Sequence, residues 1–242
     1  MIRKAIEPDF CVMADDECAI RIHSLKRAYG LYVPFIRYYS DACGGLLSIM
    51  DGVGVLCCTE NVDEWLVFIT MNPEIIRLHC SASVGRRLVE SGEWQGGEGV
   101  VLKYAGGCDV QPSIVCENPY LPHVHALLSE CFDDMPALDA WYPDVSHRIR
   151  HNCAKIATIY NGEKAVSTAM TVAEIESAAI IGQVATYRDF RSRGYAKTCI
   201  NSLVSRCKGK ELYILPATDF ARTLYENMGF SPIGEWMELQ RI

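Results

Sequence analysis

The chain has 242 residues, half of them hydrophobic and 22% charged, with a net charge of −7. That length accommodates two small domains with real cores, and the negative balance argues against a nucleic-acid partner. The start lacks the apolar run of a signal peptide. No apolar stretch approaches the roughly 20 residues of a membrane span, so a cytoplasmic protein without a membrane partner is expected.

In chain order, Glu17–Tyr29 reads as a helix, and Gly45–Met50 with Gly54–Cys58 as a hairpin turning at Asp51-Gly52. Glu64–Thr70, rich in apolar residues, reads as a strand, Pro73–Ser91 as one long helix and Gly99–Tyr104 as a strand. Gly106-Gly107, Pro112 and Pro119 make the stretch between Ala105 and Tyr120 linker-like. The expected domains are therefore 1–110 and 111–242.

Asn118-Pro119-Tyr120 reads as a helix start, with apolar residues at Val124, Leu127, Leu128 and Cys131 in helical period. Leu138–Asn152 is a second helix. Ala154–Tyr160 and Ala165–Val172 flank an Asn161-Gly162 turn, a hairpin. Ala178–Tyr187 is a buried strand, Tyr195–Lys208 a helix, Glu211–Leu215 a strand, Phe220–Met228 a helix stopped by Gly229, and Glu235–Gln240 a last strand. A hairpin feeding strand, helix and strand gives an α/β class with a mixed sheet. The first half has the same order, so it is expected to be a smaller, degenerate copy of the second.

Twelve cysteines form no Cys-x-x-Cys pair, and most lie in apolar runs. They are expected to be reduced, buried thiols. His147 and His151 stand four apart without a third ligand, so no metal is expected.

The chemistry concentrates in Gln183–Ala196. A strand runs into a loop with Gly194 at its turn, and a helix opens at once. The first N–H groups of a helix lack internal partners and carry the positive end of its dipole, which suits a phosphate. Gly194, without a Cβ, lets the backbone approach it, while Arg191, Arg193 and Lys197 add positive charge.

Arg191-Ser192-Arg193-Gly194-Tyr195-Ala196 resembles the pyrophosphate motif of the GCN5-related N-acetyltransferase (GNAT) family, Gln/Arg-x-x-Gly-x-Gly/Ala. Ala221-Arg-Thr-Leu224-Tyr225-Glu-Asn-Met-Gly229-Phe230 resembles the family's second motif, Ala-x-x-Leu-Tyr-x-x-x-Gly-Phe. Two motifs in the right order, one after each of two strands, are far more specific than either alone. The resemblance implies a GNAT fold for 111–242 and a GNAT-like first half.

The resemblance also implies acetyl-CoA as donor, with no metal, and an acetyl transfer to an amine by direct attack. Val184, Ala185 and Thr186 would hold the pantetheine arm, and Arg191, Ser192, Arg193, Gly194, Tyr195, Ala196 and Lys197 the pyrophosphate. Tyr225 would be the general acid for the leaving thiolate. Thr218 stands where many members have Asn, and so could contact the cofactor. Glu174 and Glu176 are base candidates, though exposed carboxylates are more often just solvated. The acceptor read here is a small-molecule amine; a protein or peptide acceptor, or a CoA-binding regulatory module without turnover, are the alternatives. A homodimer is compatible with the sequence. The first half lacks Gly and Arg at Thr70–Ile75, the loop matched to the motif, and is expected to bind no CoA.

Overall fold

The computed structural model describes residues 1–10, 16–106 and 115–242. In chain order its elements are β1 (Arg3–Lys4), α1 (Glu17–Tyr29), β2 (Ile36–Ser40), β3 (Leu46–Met50), β4 (Val53–Cys57), α2 (Val62–Thr70), β5 (Arg77–Ser81), α3 (Ala82–Glu90) and β6 (Trp94–Tyr104). There follow α4 (Leu121–Cys131), α5 (Leu138–Arg150), β7 (Ile156–Asn161), β8 (Lys164–Glu174), β9 (Ala178–Thr186), α6 (Tyr195–Arg206), β10 (Glu211–Ile214), α7 (Asp219–Glu226) and β11 (Phe230–Arg241). The chain divides into two compact units. One comprises Met1–Val101 with Pro232–Ile242, the other Leu102–Ser231. The domain boundary expected at 110/111 lies outside the described residues.

In the first unit the strands follow the order β1-β2-β3-β4-β5-β11-β6. β2, β3 and β4 form an antiparallel meander, and β4 runs parallel to β5 through Val53↔Arg77, Gly54↔Leu78 and Val55↔His79. The last strand of the chain, β11, pairs antiparallel with β5. Met237 and Leu239 are thereby buried with Leu47, Leu56, Trp65, Ile69, Leu78 and Trp94, which is why the end of the chain belongs to this unit. A Cβ at Gly96 would fall 2.0 Å from the Glu238 carbonyl oxygen, so only glycine permits that approach. α1 is capped by Asp16, which accepts a hydrogen bond from the Ala19 N–H at 3.0 Å. It buries Cys18, Ala19 and Ile22 against Ile36, Tyr38, Leu46 and Cys57.

The second unit has the order β6-β10-β9-β8-β7, only the end of β6 being involved. β9 and β10 are parallel, while β7–β8, β8–β9 and β10–β6 are antiparallel. α4 and α5 cover one face, burying Val124, Leu127, Leu128, Trp141 and Val145 on Ile156, Val166 and Met170. α6 lies against the other face, with Cys199 Sγ 3.9 Å from Ser167 Oγ; neighbours along a strand point to opposite faces.

Three expectations are corrected, and one strand is added. Residues 64–70, expected as a strand, belong to helix α2. Trp65 and Ile69, four apart, are buried while Val67 between them is 63% exposed, a helical period in a segment apolar on every side. The single helix expected over Pro73–Ser91 is a strand and a helix. Leu78, His79 and Cys80 are buried in β5, and Ser81 stands as the N-cap residue of α3. Strand β2 is the addition, and its sequence alternates accordingly, with Ile36, Tyr38 and Ser40 inward. Helix α4 starts at Leu121 with Pro122 in its first turn, not at Pro119.

The repeat survives these corrections in a new register. β2-β3-β4-α2-β5-α3-β6 matches β7-β8-β9-α6-β10-α7-β11. The parallel pair β4–β5 answers β9–β10, and the N-cap residues of α2 and α6, Asn61 and Gly194, are both left-handed with φ of 55° and 77°.

Candidate functional site

The parallel pairing of β9 with β10 ends at Ile181↔Ile214, whereas β9 continues to Thr186. Five residues of β9, from Gly182 to Thr186, thus keep β8 on one side and leave β10 behind on the other. A bulge marks the parting: Met170 pairs with Gly182 and Thr168 with Ala185, so β9 carries one extra residue. Gln183 takes a φ of 46° there, and its Oε1 is buried with no hydrogen-bond partner among the described residues. Val184 lies within the bulge. Ala185 is buried opposite Thr168, and Thr186 Oγ1 lies 2.8 Å from Ser167 Oγ.

From Thr186 the chain passes through a 3-10 turn at Arg188–Phe190 into the loop Arg191–Gly194. Arg191 Nε donates back to the Thr186 carbonyl at 3.1 Å, and Arg193 donates to the Asp189 carbonyl at 3.0 Å while its guanidinium lies 5.1 Å from the Phe190 ring centre. Ser192 and Gly194 have φ of 62° and 77°. This left-handed turn delivers the chain directly into α6 at Tyr195, Ala196 and Lys197. No side chain caps α6 and no acidic residue lies in its first turn, so its leading N–H groups and dipole are available to an anion.

The corresponding turn of the first unit joins β4 to α2, not the Thr70–Ile75 loop that the expected elements had aligned with it. Here Glu60 precedes the cap, and Asp63 and Glu64 occupy the first turn of α2. Carboxylates in these positions already satisfy the helix dipole and repel a phosphate.

α7 follows β10 in the chain. Thr218 is its N-cap, its Oγ1 accepting from the Ala221 N–H at 3.2 Å. The hydroxyl proton remains for another partner. Tyr225 is buried, with its ring 6.3 Å from that of Phe230. Burial pushes its phenol up to about 12, so it stays protonated.

The two carboxylates do not join this site. Glu174 pairs with Ala179 and Glu176 lies in the turn before β9, both at the end remote from Thr186. At about 3.3 Å per residue, Glu176 is roughly 20 Å along the strand from Gly182. Glu174 is buried, with Oε1 ion-paired to Lys155 and, at 3.0 Å, to Lys210, and Oε2 accepting from Thr171 Oγ1 at 3.1 Å. Burial alone would raise its pKa, but the hydrogen bonds and charges of the two lysines reverse this and hold it below the usual carboxylate range. Such a group is a structural anion and a weak base. Gln183, the first residue of the stretch singled out in the sequence, had no expected role of its own; Gly182, interrupting an apolar strand, is the signal of the bulge beside it.

A family model described as Acetyltransferase (GNAT) family matches residues 121–230. That segment contains the split strand, the anion-ready loop and α7. Residues 121–230 are a GNAT-family acetyltransferase domain. Solved structures similar to the whole chain include a GCN5-related N-acetyltransferase from Kribbella flavida, at a TM-score of 0.67 and 12% identity over 95% of each chain. Another, from Sphaerobacter thermophilus, has a TM-score of 0.60 and 14% identity, covering 100% of this chain and 95% of its own. A tandem GNAT protein from the clavulanic acid biosynthesis pathway has a TM-score of 0.56 and 11% identity, covering 94% of this chain and 88% of its own. At such identities the likeness is one of fold. It extends beyond the GNAT domain to the first unit, in keeping with the repeat. No curated protein matches the chain. Among the described residues, no helix is long and apolar enough to cross a membrane.

Proposed function

We propose that the GNAT domain transfers acetyl from acetyl-CoA to a primary amine of a small molecule by direct attack. The observation that carries this reading is the course of β9, which outruns β10 at a bulge and ends in a loop opening an uncapped helix. The pyrophosphate lies on residues 191–197, whose backbone N–H groups and arginines supply its contacts. The pantetheine arm adds to Val184–Thr186 on the side that β10 leaves, as an extra strand would. Thr218 offers its remaining hydroxyl proton to the cofactor. Gln183 Oε1 is the acceptor left for a ligand N–H at the parting of the strands.

In the step itself, the amine nitrogen forms a bond to the thioester carbon and the carbon–sulfur bond breaks. A backbone N–H at the bulge supports the carbonyl oxygen as it gains charge. Sulfur leaves with the electron pair and receives a proton from Tyr225, whose phenol burial keeps protonated. The nitrogen gives up its proton, which restores the phenol. Glu174 and Glu176 take no part, because they lie at the other end of the strand. Acetyl-CoA and reduced thiols both suit the cytoplasm. The test is a panel of small amines, amino acids and peptides with acetyl-CoA, following release of the CoA thiol. Turnover on small amines is expected. Absence of acetyl-CoA binding refutes the donor assignment, and turnover on peptides alone refutes the acceptor class.

A further inference from the structure

The first unit has its own parting of parallel strands. β4 and β5 pair as far as Val55↔His79, after which β4 runs on through Cys57 and β5 through Cys80. In the GNAT domain the equivalent place is the free edge of β9. Here it is closed by the first turn of α1, and what gathers is a buried set of Glu17, Cys18 and His79. Glu17 Oε1 lies 2.5 Å from His79 Nε2 and 3.3 Å from Cys18 Sγ, and the three ligand atoms lie within 4.8 Å of one another.

We propose that Glu17, Cys18 and His79 form a binding site for a zinc-class divalent cation in the first unit. The donor set is one carboxylate oxygen, one sulfur and one imidazole nitrogen. That is a borderline-soft combination, which suits zinc and its transition-metal neighbours and not calcium or magnesium, whose ligands are oxygens. One outer hydrogen bond of such a site is in place, on the carboxylate, and the imidazole is held by packing. Glu17 Oε2 accepts from Arg21 Nε at 2.7 Å, and the His79 ring is stacked on Trp236 with centres 5.0 Å apart and planes at 26°. Hydrogen bonds to a ligating carboxylate set its orientation. The charges also close: one carboxylate and one thiolate neutralise a dication, so the buried site carries no net charge of its own beyond Arg21.

Binding expels the Cys18 proton to solvent and moves Glu17 Oε1 from His79 Nε2 to the separation of about 3 Å that two ligands on one ion require. Cys57, packed with Cys18 in the same apolar cluster, lies outside this set of three ligand atoms. A site this enclosed is structural and pins the first turn of α1 to β5. The competing account makes Glu17–His79 a simple ion pair and Cys18 a small core side chain.

The test uses the full chain stripped with a chelator, then titrated with zinc by calorimetry and with cobalt(II) by absorption. One zinc per chain is expected, with a thiolate-to-cobalt charge-transfer band and a rise in Tm on metal addition. Cys18→Ala, a small change for an apolar cluster, should keep the circular dichroism of the wild type. It should lose the band and the Tm rise, and bind zinc about 100-fold more weakly or worse. His147→Ala, which removes half of the stacked pair His147–His151 on α5, should bind as the wild type does. The proposal is overturned by absence of stoichiometric zinc binding, by an unchanged cobalt spectrum in Cys18→Ala, or by loss of the metal in His147→Ala.

Discussion

Replacing Gly194 with alanine, valine and asparagine separates two roles of one residue. Its φ of 77° lies in the left-handed region, and an added Cβ would meet no atom within 4 Å. In the free protein the penalty is therefore conformational, about 1–2 kcal/mol for an ordinary side chain, with valine at the upper end because of its branching. Asparagine tolerates this conformation, as Asn61 does at the matching cap of α2 with a φ of 55°. Its cost should be a few tenths of a kcal/mol. Space that is open in the free protein is the space a phosphate needs in the complex. Each 1.4 kcal/mol is a factor of ten in affinity. Acetyl-CoA should bind about 10-fold more weakly to Gly194→Ala and Gly194→Asn, and about 100-fold more weakly to Gly194→Val. Urea unfolding gives the stability arm and calorimetry the binding arm. Asparagine is the informative variant, with stability near wild type and weakened binding. If Gly194→Val binds acetyl-CoA as tightly as wild type, or if Gly194→Asn loses stability but no affinity, the phosphate does not sit on this turn.

Tyr225→Phe should lower kcat about 100-fold with little change in the KM for acetyl-CoA; equal turnover returns Tyr225 to a packing role. Because burial pushes this phenol up to about 12, wild-type rates should show no alkaline fall from its ionisation at ordinary assay pH, as a rate–pH profile will reveal. Calorimetry should find one acetyl-CoA per chain, since the first unit presents Glu60, Asp63 and Glu64 at the matching turn; two sites would refute this. Glu174→Gln should destabilise the second unit by about 2 kcal/mol, leaving Lys155 and Lys210 without their buried partner. The wild-type carboxylate is held below its unfolded pKa, so its contribution is complete at neutral pH and fades as pH falls through the lowered value. Urea unfolding of the two proteins should thus converge in acid, and a gap that stays constant with pH contradicts the ion-pair account.

Much of the second unit was legible in the sequence because its signals are local. The Asn161-Gly162 turn, the glycine that opens α6 and Gly229 after α7 act through the backbone within a few residues, so β7, β8, α6 and α7 match their expected bounds to within two residues, whereas β11, expected from Glu235, starts at Phe230. The loop before α6 was legible for the same reason, since a strand, a left-handed glycine and an uncapped helix are consecutive in the chain. In the first unit, local pattern misled where an exposed position is as apolar as the buried ones, as Val67 is between Trp65 and Ile69. Residues 64–70 are apolar on all faces, so strand and helix looked alike until Trp65 and Ile69 were seen to share a core with Leu78. Only the tertiary structure decided what depends on residues far apart. It placed Met237 and Leu239 in the first unit's core, and it set Glu174 beside Ala179, at the opposite end of β9 from the loop before α6. It also drew Glu17 and Cys18 against His79, 62 residues from Glu17, a meeting that no spacing in the sequence encodes because the register of β5 and the docking of α1 create it.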